Sequence, residues 1–427
     1  MIRFFAFFRS LPRGASSISM QWLLLPVLGK FSPFLFLLQT PLLRSKGGKP
    51  LPEIAVFLAV AAVYTIYMGV RALAAGAEAE EPIAENLPLI IVPALVLWCA
   101  RAPLRLDLGW VFRGTVGLLI AIFCLASYEK WALNVLRPEL LLGNPLNLAP
   151  LLLVPCMLMT IRDLAPCERW RWAGLIGFCL GGYVIGGLAQ SRGVFLVFAG
   201  LVVIRLAFEV WSPAPIRERV KTCTVIIAAM GLVVASLAFN PSVSTRYVVA
   251  AQSLSQSSAP SSSEPAPVKG WSTGLRIEML VEGWRKFEER PVLGHGPQHR
   301  FTSVFPRDSS FPLRASHLHN DFLTHAVGGG LIGALLLCIV LAMPAVTGFA
   351  RAAGLPRRMA HNRRQIGALA SAAFFGVAAV NNVFFVSIST YTTTLSLVMV
   401  LLIQAALRET APAAGTAGPI AQRDRNL

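Results

Sequence analysis

DFLTHAVGGGLIGALLLCIVLAMPAV, residues 321–346, decides the fold. After Asp321 it reaches Val346 without another Asp, Glu, Lys or Arg. At ~1.5 Å per residue, a helix of this length crosses a ~30 Å hydrocarbon core. Hydrocarbon offers the backbone no hydrogen-bond partner, so such a run must be helical. Comparable runs extend in both directions from it. They lie at about 53–72, 86–100, 110–127, 146–161, 172–189, 193–211 and 222–239 upstream, and at about 366–387 and 390–408 downstream.

Composition agrees. Of 427 residues, 55% are hydrophobic and 14% charged, where a soluble chain carries about 25% charged residues. The fold class is an all-α polytopic membrane protein. The formal charge of +17, from 38 Lys+Arg against 21 Asp+Glu, would point to nucleic acid in a soluble protein. Here the basic residues gather in alternate short loops: Arg44, Lys46 and Lys49; Arg101 and Arg105; Arg162, Arg169 and Arg171; Arg217, Arg219 and Lys221; and Arg351, Arg357, Arg358, Arg363 and Arg364. That pattern fixes orientation and puts these loops in the cytoplasm. No nucleic acid is expected, and membrane lipids are the surroundings. Intervening loops are acidic (Glu78, Glu80, Glu81, Glu85) or short (Gln190 to Gly193), so the long loop 240–320 faces outward.

Four regions follow. Residues 1–239 form an amino-terminal transmembrane bundle. Its first residues, Met1 to Arg13, are basic and lack a cleavage pattern, which reads as a retained cytoplasmic or interfacial segment. Ile18 to Leu43 is apolar but broken by Pro26, Lys30, Pro33 and Pro41. Basic flanks on both sides ask for an even number of crossings, yet about 26 residues are too few for two full spans; a short hairpin or re-entrant pair gives about twelve spans in all, the expected number, and a single span would give eleven. Residues 240–320 form the outward loop, opening with a flexible Ser/Ala/Pro run from Ser253 to Pro267. A helix is expected over 273–290, with Ile277, Leu280, Val281, Trp284 and Phe287 on one face and Glu278, Glu282, Lys286 and Glu289 on the other. Pro291 stops it, and Gly294-His295-Gly296-Pro297 makes a tight turn. Residues 321–408 carry the last helices, and 409–427 form a cytoplasmic tail.

Residues that could carry chemistry concentrate at the outward boundary. His319 and Asn320 stand where the loop re-enters the membrane, with Asp321 as the expected helix N-cap. A histidine there has an ordinary pKa of about 6.5, suited to a general base; the plainer reading is a surface side chain. Arg192 lies outward between two spans, against the basic-inside trend. It is either a snorkelling side chain or a guanidinium aimed at phosphate. Arg276 borders the apolar stripe of the surface helix and carries the same two readings; Arg285, Arg290 and Arg300 share its region. His295, His299, His317 and His325 are close in sequence, but their spacing does not match a zinc site. The cysteines Cys99, Cys124, Cys156, Cys167, Cys179, Cys223 and Cys338 lie in or near apolar runs and read as small buried thiols. No metal and no cofactor are called for.

These positions together resemble the O-antigen ligase family, which is itself similar to O-antigen polymerases and O-linking oligosaccharyltransferases. The family pattern of His, then Asn, Ser or Gln, nine residues, Gly, two residues, and Gly, Thr or Tyr is met by His319, Asn320, Gly330 and Gly333. Its Arg-x-x-x-Leu element is met by Arg276 and Leu280, and its outward arginine between central spans by Arg192. The resemblance covers about 90–410 and implies a GT-C-like glycosyltransferase in the bacterial inner membrane, its active site facing the periplasm. The implied donor is O-antigen on undecaprenyl diphosphate, and the implied acceptor is lipid A–core oligosaccharide. Arg192 and Arg276 would hold the diphosphate and His319 would take the acceptor's proton, giving inversion without a metal. The loop has no Asp-x-Asp pair to hold a cation, which agrees. A polymerase acting on a growing glycan, or an oligosaccharyltransferase acting on protein, would share this site. A secondary transporter would instead place ionisable residues near the midplane.

Overall fold

The computed structural model describes residues 22, 49–76, 80–102, 106–138, 140–142, 145–241, 243–245, 248, 271–305, 317–350, 352, 354–381, 384 and 387–409. The amino-terminal segment, the crossings within 18–43 apart from Trp22, the Ser/Ala/Pro run and the carboxy-terminal tail lie outside the described residues.

A helix stands at each of the ten stretches named above. In chain order they are α1 (Pro52–Ala74), α2 (Glu80–Cys99), α3 (Leu108–Trp131), α4 (Pro145–Met159), α5 (Glu168–Tyr183), α6 (Arg192–Val210) and α7 (Ile216–Ala238); then, after an intervening α8 (Trp271–Glu289), α9 (Asp321–Ala350), α10 (Arg357–Val380) and α11 (Ser387–Glu409). Their starts follow from local chemistry. Pro52 occupies the first turn of α1, where its missing N–H costs nothing. The Asp107 carboxylate accepts the Trp110 N–H at 3.0 Å and caps α3. Pro215 and Pro356 are in extended conformation immediately before α7 and α10. Among the described residues seven helices are long and apolar enough to cross a membrane: α1, α3, α5 with the turn that follows it, α6, α7, α9 and α11. Ile83–Cys99 within α2 and Asn147–Met159 within α4 are shorter apolar helical stretches.

Successive helices reverse direction, so their ends gather at two poles. At one pole β1 (Lys49–Pro50) pairs antiparallel with β2 (Arg101–Ala102). There Glu53 meets Arg363 at 3.1 Å and Arg408 at 3.0 Å. Arg358 Nε donates to Asp163 at 2.7 Å, and Arg162 pairs with Glu218. This is the pole of the basic loops. At the other pole Arg300 holds Glu85 at 2.7 Å, Arg71 donates to the Leu293 carbonyl at 2.7 Å, and Asn320 donates to the Ala379 carbonyl at 3.1 Å. The long loop returns here.

One continuous apolar core runs between the poles, from Phe57 and Tyr64 of α1 to Leu395 and Leu402 of α11. The outside is apolar too. Val63, Ile66, Val70 and Leu73 recur at helical spacing on α1 and are all more than half exposed. A stripe of that kind marks a surface that meets lipid rather than water. Of the seven cysteines, only Cys99 and Cys156 are buried, and Cys124 and Cys167 are exposed. The expectation of uniformly buried thiols is therefore corrected: helix faces turned outward can carry a small apolar side chain as readily as the core.

Candidate active site at the loop pole

Arg192 is positioned by an irregular helix end. After α5 the chain widens into a π-helical turn, Val184–Leu188. The Ala189 N–H bonds the Val184 carbonyl at 2.8 Å and the Ser191 N–H bonds that of Ile185 at 3.1 Å. Gln190 then adopts φ 51°, and α6 starts at Arg192. Single π turns of this kind frequently accompany functional sites. Gly186 makes this one possible, since a Cβ there would lie 2.6 Å from Leu237.

Arg276 is on the packed face of α8, seven residues before Gly283. At Gly283 a Cβ would come within 2.7 Å of Leu318 and 2.9 Å of Leu323, so only glycine lets α8 approach α9 this closely. The buried side of α8 is Leu275, Met279 and Gly283, while Leu280, Val281 and Trp284 stay exposed. The expected apolar face is thus rotated: glycine contributes contact without counting as an apolar residue. The exposed trio joins Val292 and Leu293 in an outward apolar patch.

His319 precedes α9, with its backbone at φ 53°. Its N–H donates to His317 Nδ1 at 3.1 Å, and the two rings meet edge to face with centroids 4.2 Å apart. Its own Nδ1 is buried and makes no hydrogen bond to the described residues. The cap of α9 is Asn320 rather than Asp321: Asn320 Oδ1 accepts the Leu323 N–H at 3.0 Å. Asp321 is fully buried, and its Oδ2 accepts the Phe384 N–H at 3.2 Å.

The two motif glycines also have a structural cause. Helix α9 is interrupted at Gly330, with φ 68° and ψ −167°, a backbone region open essentially to glycine alone. The interruption strips helical partners from three carbonyls; the turn after α8 serves two of them and α1 the third. His295 N–H donates to Val327 at 2.7 Å and Gly296 N–H to Gly328 at 2.8 Å, while the Tyr67 hydroxyl donates to Gly329 at 2.6 Å. In return Leu331 N–H reaches the Pro291 carbonyl at 2.7 Å. Three carbonyls and one N–H freed by the break thus find partners, as a water-poor interior demands. Gly333 sits where a Cβ would press on the His325 carbonyl at 3.2 Å. The uninterrupted span expected over 321–346 is corrected accordingly.

These pieces come together through the end of α10. Asn320 binds the Ala379 carbonyl, and a Cβ on Gly193 would touch Val380 at 3.1 Å, so α6 and α9 both begin against the same two residues. Electrostatics give the same convergence. Burial, and then the positive charges of Arg192 and Arg137, lower the pKa of the Arg276 guanidinium. Burial and Arg276 push His319 down to about 4. Burial, His319, Arg300 and Arg276 push His317 down to about 3. Three guanidiniums and a neutral imidazole therefore share one neighbourhood. Arg137 is the member that sequence reasoning missed; it too lies in a turn of the loop pole, before Pro138. The four non-glycine residues with positive φ among the described residues are Asn134, Leu140, Gln190 and His319. All four flank or form the turns that carry Arg137, Arg192 and His319, which is where strained backbone is expected at a working site.

Volume points elsewhere. Cavities of about 420 and 540 Å³ open at the opposite pole. Four of the guanidiniums lining them are paired with carboxylates, Arg162 with Glu218, Arg171 with Glu168, Arg205 with Glu209 and Arg358 with Asp163, so an anion gains less there. Among the described residues no three His, Cys, Asp or Glu side chains come together to hold a metal ion. The loop pole gathers cationic side chains and two helix N-termini, features that favour an anion, beside a neutral imidazole. Residues 176–338 match a family model described as O-Antigen ligase, a segment that includes Arg192, Arg276, His319, Gly330 and Gly333. No curated protein matches the chain.

Proposed function

We propose that this multi-pass membrane protein, a member of the O-antigen ligase family through residues 176–338, is a glycosyltransferase that moves O-antigen from undecaprenyl diphosphate to lipid A–core at the periplasmic face of the inner membrane. The observation that carries the reading is the grouping of Arg137, Arg192 and Arg276 beside a histidine held neutral down to about pH 4. A diphosphate diester leaves as a monoester with one more ionisable oxygen, so negative charge grows on the leaving group as the glycosidic bond breaks. Preorganised guanidiniums stabilise that growth more than they stabilise the ground state. They do so without a metal, in the role that a divalent cation plays elsewhere.

His319 accepts the proton of the acceptor hydroxyl. The hydroxyl oxygen forms the new bond to the anomeric carbon, and the electron pair of the old C–O bond departs with the diphosphate. A single displacement inverts the anomeric centre. The reading is tested with purified protein, lipid-linked glycan and lipid A–core. Glycan on lipid A–core supports ligation. Elongation on the lipid carrier alone would make the enzyme a polymerase using the same site. Transfer to neither refutes the proposal.

A further inference from the structure

We propose that His317 is a positioning residue for His319, holding the left-handed backbone turn that presents the His319 imidazole to the arginines. This rests on the reading of His319 as proton acceptor. The geometry is a side-chain turn. His317 Nδ1 accepts the N–H of the residue two positions on, at 3.1 Å, the arrangement that Asn and Asp side chains make in an Asx turn. Such a bond is needed here because a left-handed residue with a Cβ costs roughly 1–2 kcal/mol, and His319 has φ 53°.

The rest of the turn is held in the same manner. The buried Leu318 N–H donates to Thr324 Oγ1 at 3.3 Å, and that hydroxyl donates to the Asn320 carbonyl at 2.7 Å. Leu318 itself is fully buried in the small cluster with Met279, Phe301 and Leu323. The two imidazoles on either side of it thus project together and pack edge to face. Because Nδ1 accepts, the proton of a neutral His317 ring sits on Nε2. Protonation of Nδ1 would break the bond and release the turn. The burial and positive surroundings that keep His319 unprotonated keep His317 able to accept as well.

The test uses full-length protein in detergent or nanodiscs and steady-state transfer with lipid-linked glycan. His317→Ala should lower kcat about ten- to a hundredfold, the scale of a displaced catalytic group, with KM for the donor unchanged. His317→Asn supplies an acceptor at the position of Nδ1 and should recover most of the lost rate. His319→Ala is the reference, with a loss on the order of 10²–10⁴-fold. If His319→Ala transfers at the wild-type rate, the proton-acceptor reading fails, and this inference with it. If His319→Ala is inactive but His317→Ala is fully active, only the positioning role is overturned. If His317→Asn is well folded yet as slow as His317→Ala, the imidazole is required for something other than the backbone bond, and the inference is wrong. Should His317→Ala not elute as a monodisperse peak, the asparagine variant alone decides.

Discussion

At the residue scale, the surroundings of His319 decide the charge of the imidazole proposed as proton acceptor. Burial and the Arg276 guanidinium both disfavour the imidazolium, which places the pKa at about 4. The acid limb of the kcat/KM profile should therefore fall near pH 4 rather than near 6.5. Removing the nearby positive charge favours the imidazolium, so in Arg276→Gln the limb should move up toward 6.5 while the donor binds more weakly. A limb that stays put would separate the two residues. Transfer should also persist in excess EDTA if guanidiniums supply the neutralising charge, as proposed; a loss reversed by magnesium would contradict this. His319, Arg192 and Arg276 could be singled out as candidates from the sequence because each occupies an unusual place for its type. Arg137 was not, because an arginine before a proline in a short loop looks ordinary. Its significance is spatial: Arg276 lies 139 positions away in the chain (276 minus 137). The exchange of Asn320 for Asp321 as cap was equally hidden, since both side chains suit the position and only burial separates them.

At the element scale, the interruption of α9 is the feature on which the site's outer wall depends. A Cβ on Gly330 would collide with the Val292 carbonyl, and the backbone there is closed to other residues. Gly330→Ala should cost at least the ~1–3 kcal/mol of a strained backbone. That would be read as a lower thermal midpoint in detergent and as lost transfer, although no catalytic side chain is touched. An unchanged midpoint would mean that the turn after α8 can re-dock. The long helices were evident from hydropathy because period and length survive any tertiary arrangement. The π turn after α5, the break at Gly330 and the rotated face of α8 were not. Each depends on one glycine meeting a particular neighbour, Leu237, Val292 or Leu318, and a single sequence does not say which neighbour that is.

At the scale of the whole molecule, the division into a basic pole and a loop pole was readable from the charges of the short loops. Orientation is open to direct measurement. With the other native cysteines replaced, Arg290→Cys should react with a membrane-impermeant thiol reagent applied from the periplasm. The exposed native Cys167 at the basic pole should react only after permeabilisation. Labelling in the reverse order would invert the topology and remove the proposed site from its substrates. What no local pattern announced is the ionic knot at the basic pole, where Glu53 of α1 meets Arg363 and Arg408 across a separation of 310 residues for the nearer arginine. That knot bears on how the protein is made. The ribosome delivers the carboxylate first, and both guanidiniums arrive only with the last two helices. Until then α1 carries the Glu53 carboxylate without these two guanidiniums. A chain that lacks α10 and α11 therefore lacks both of these guanidiniums.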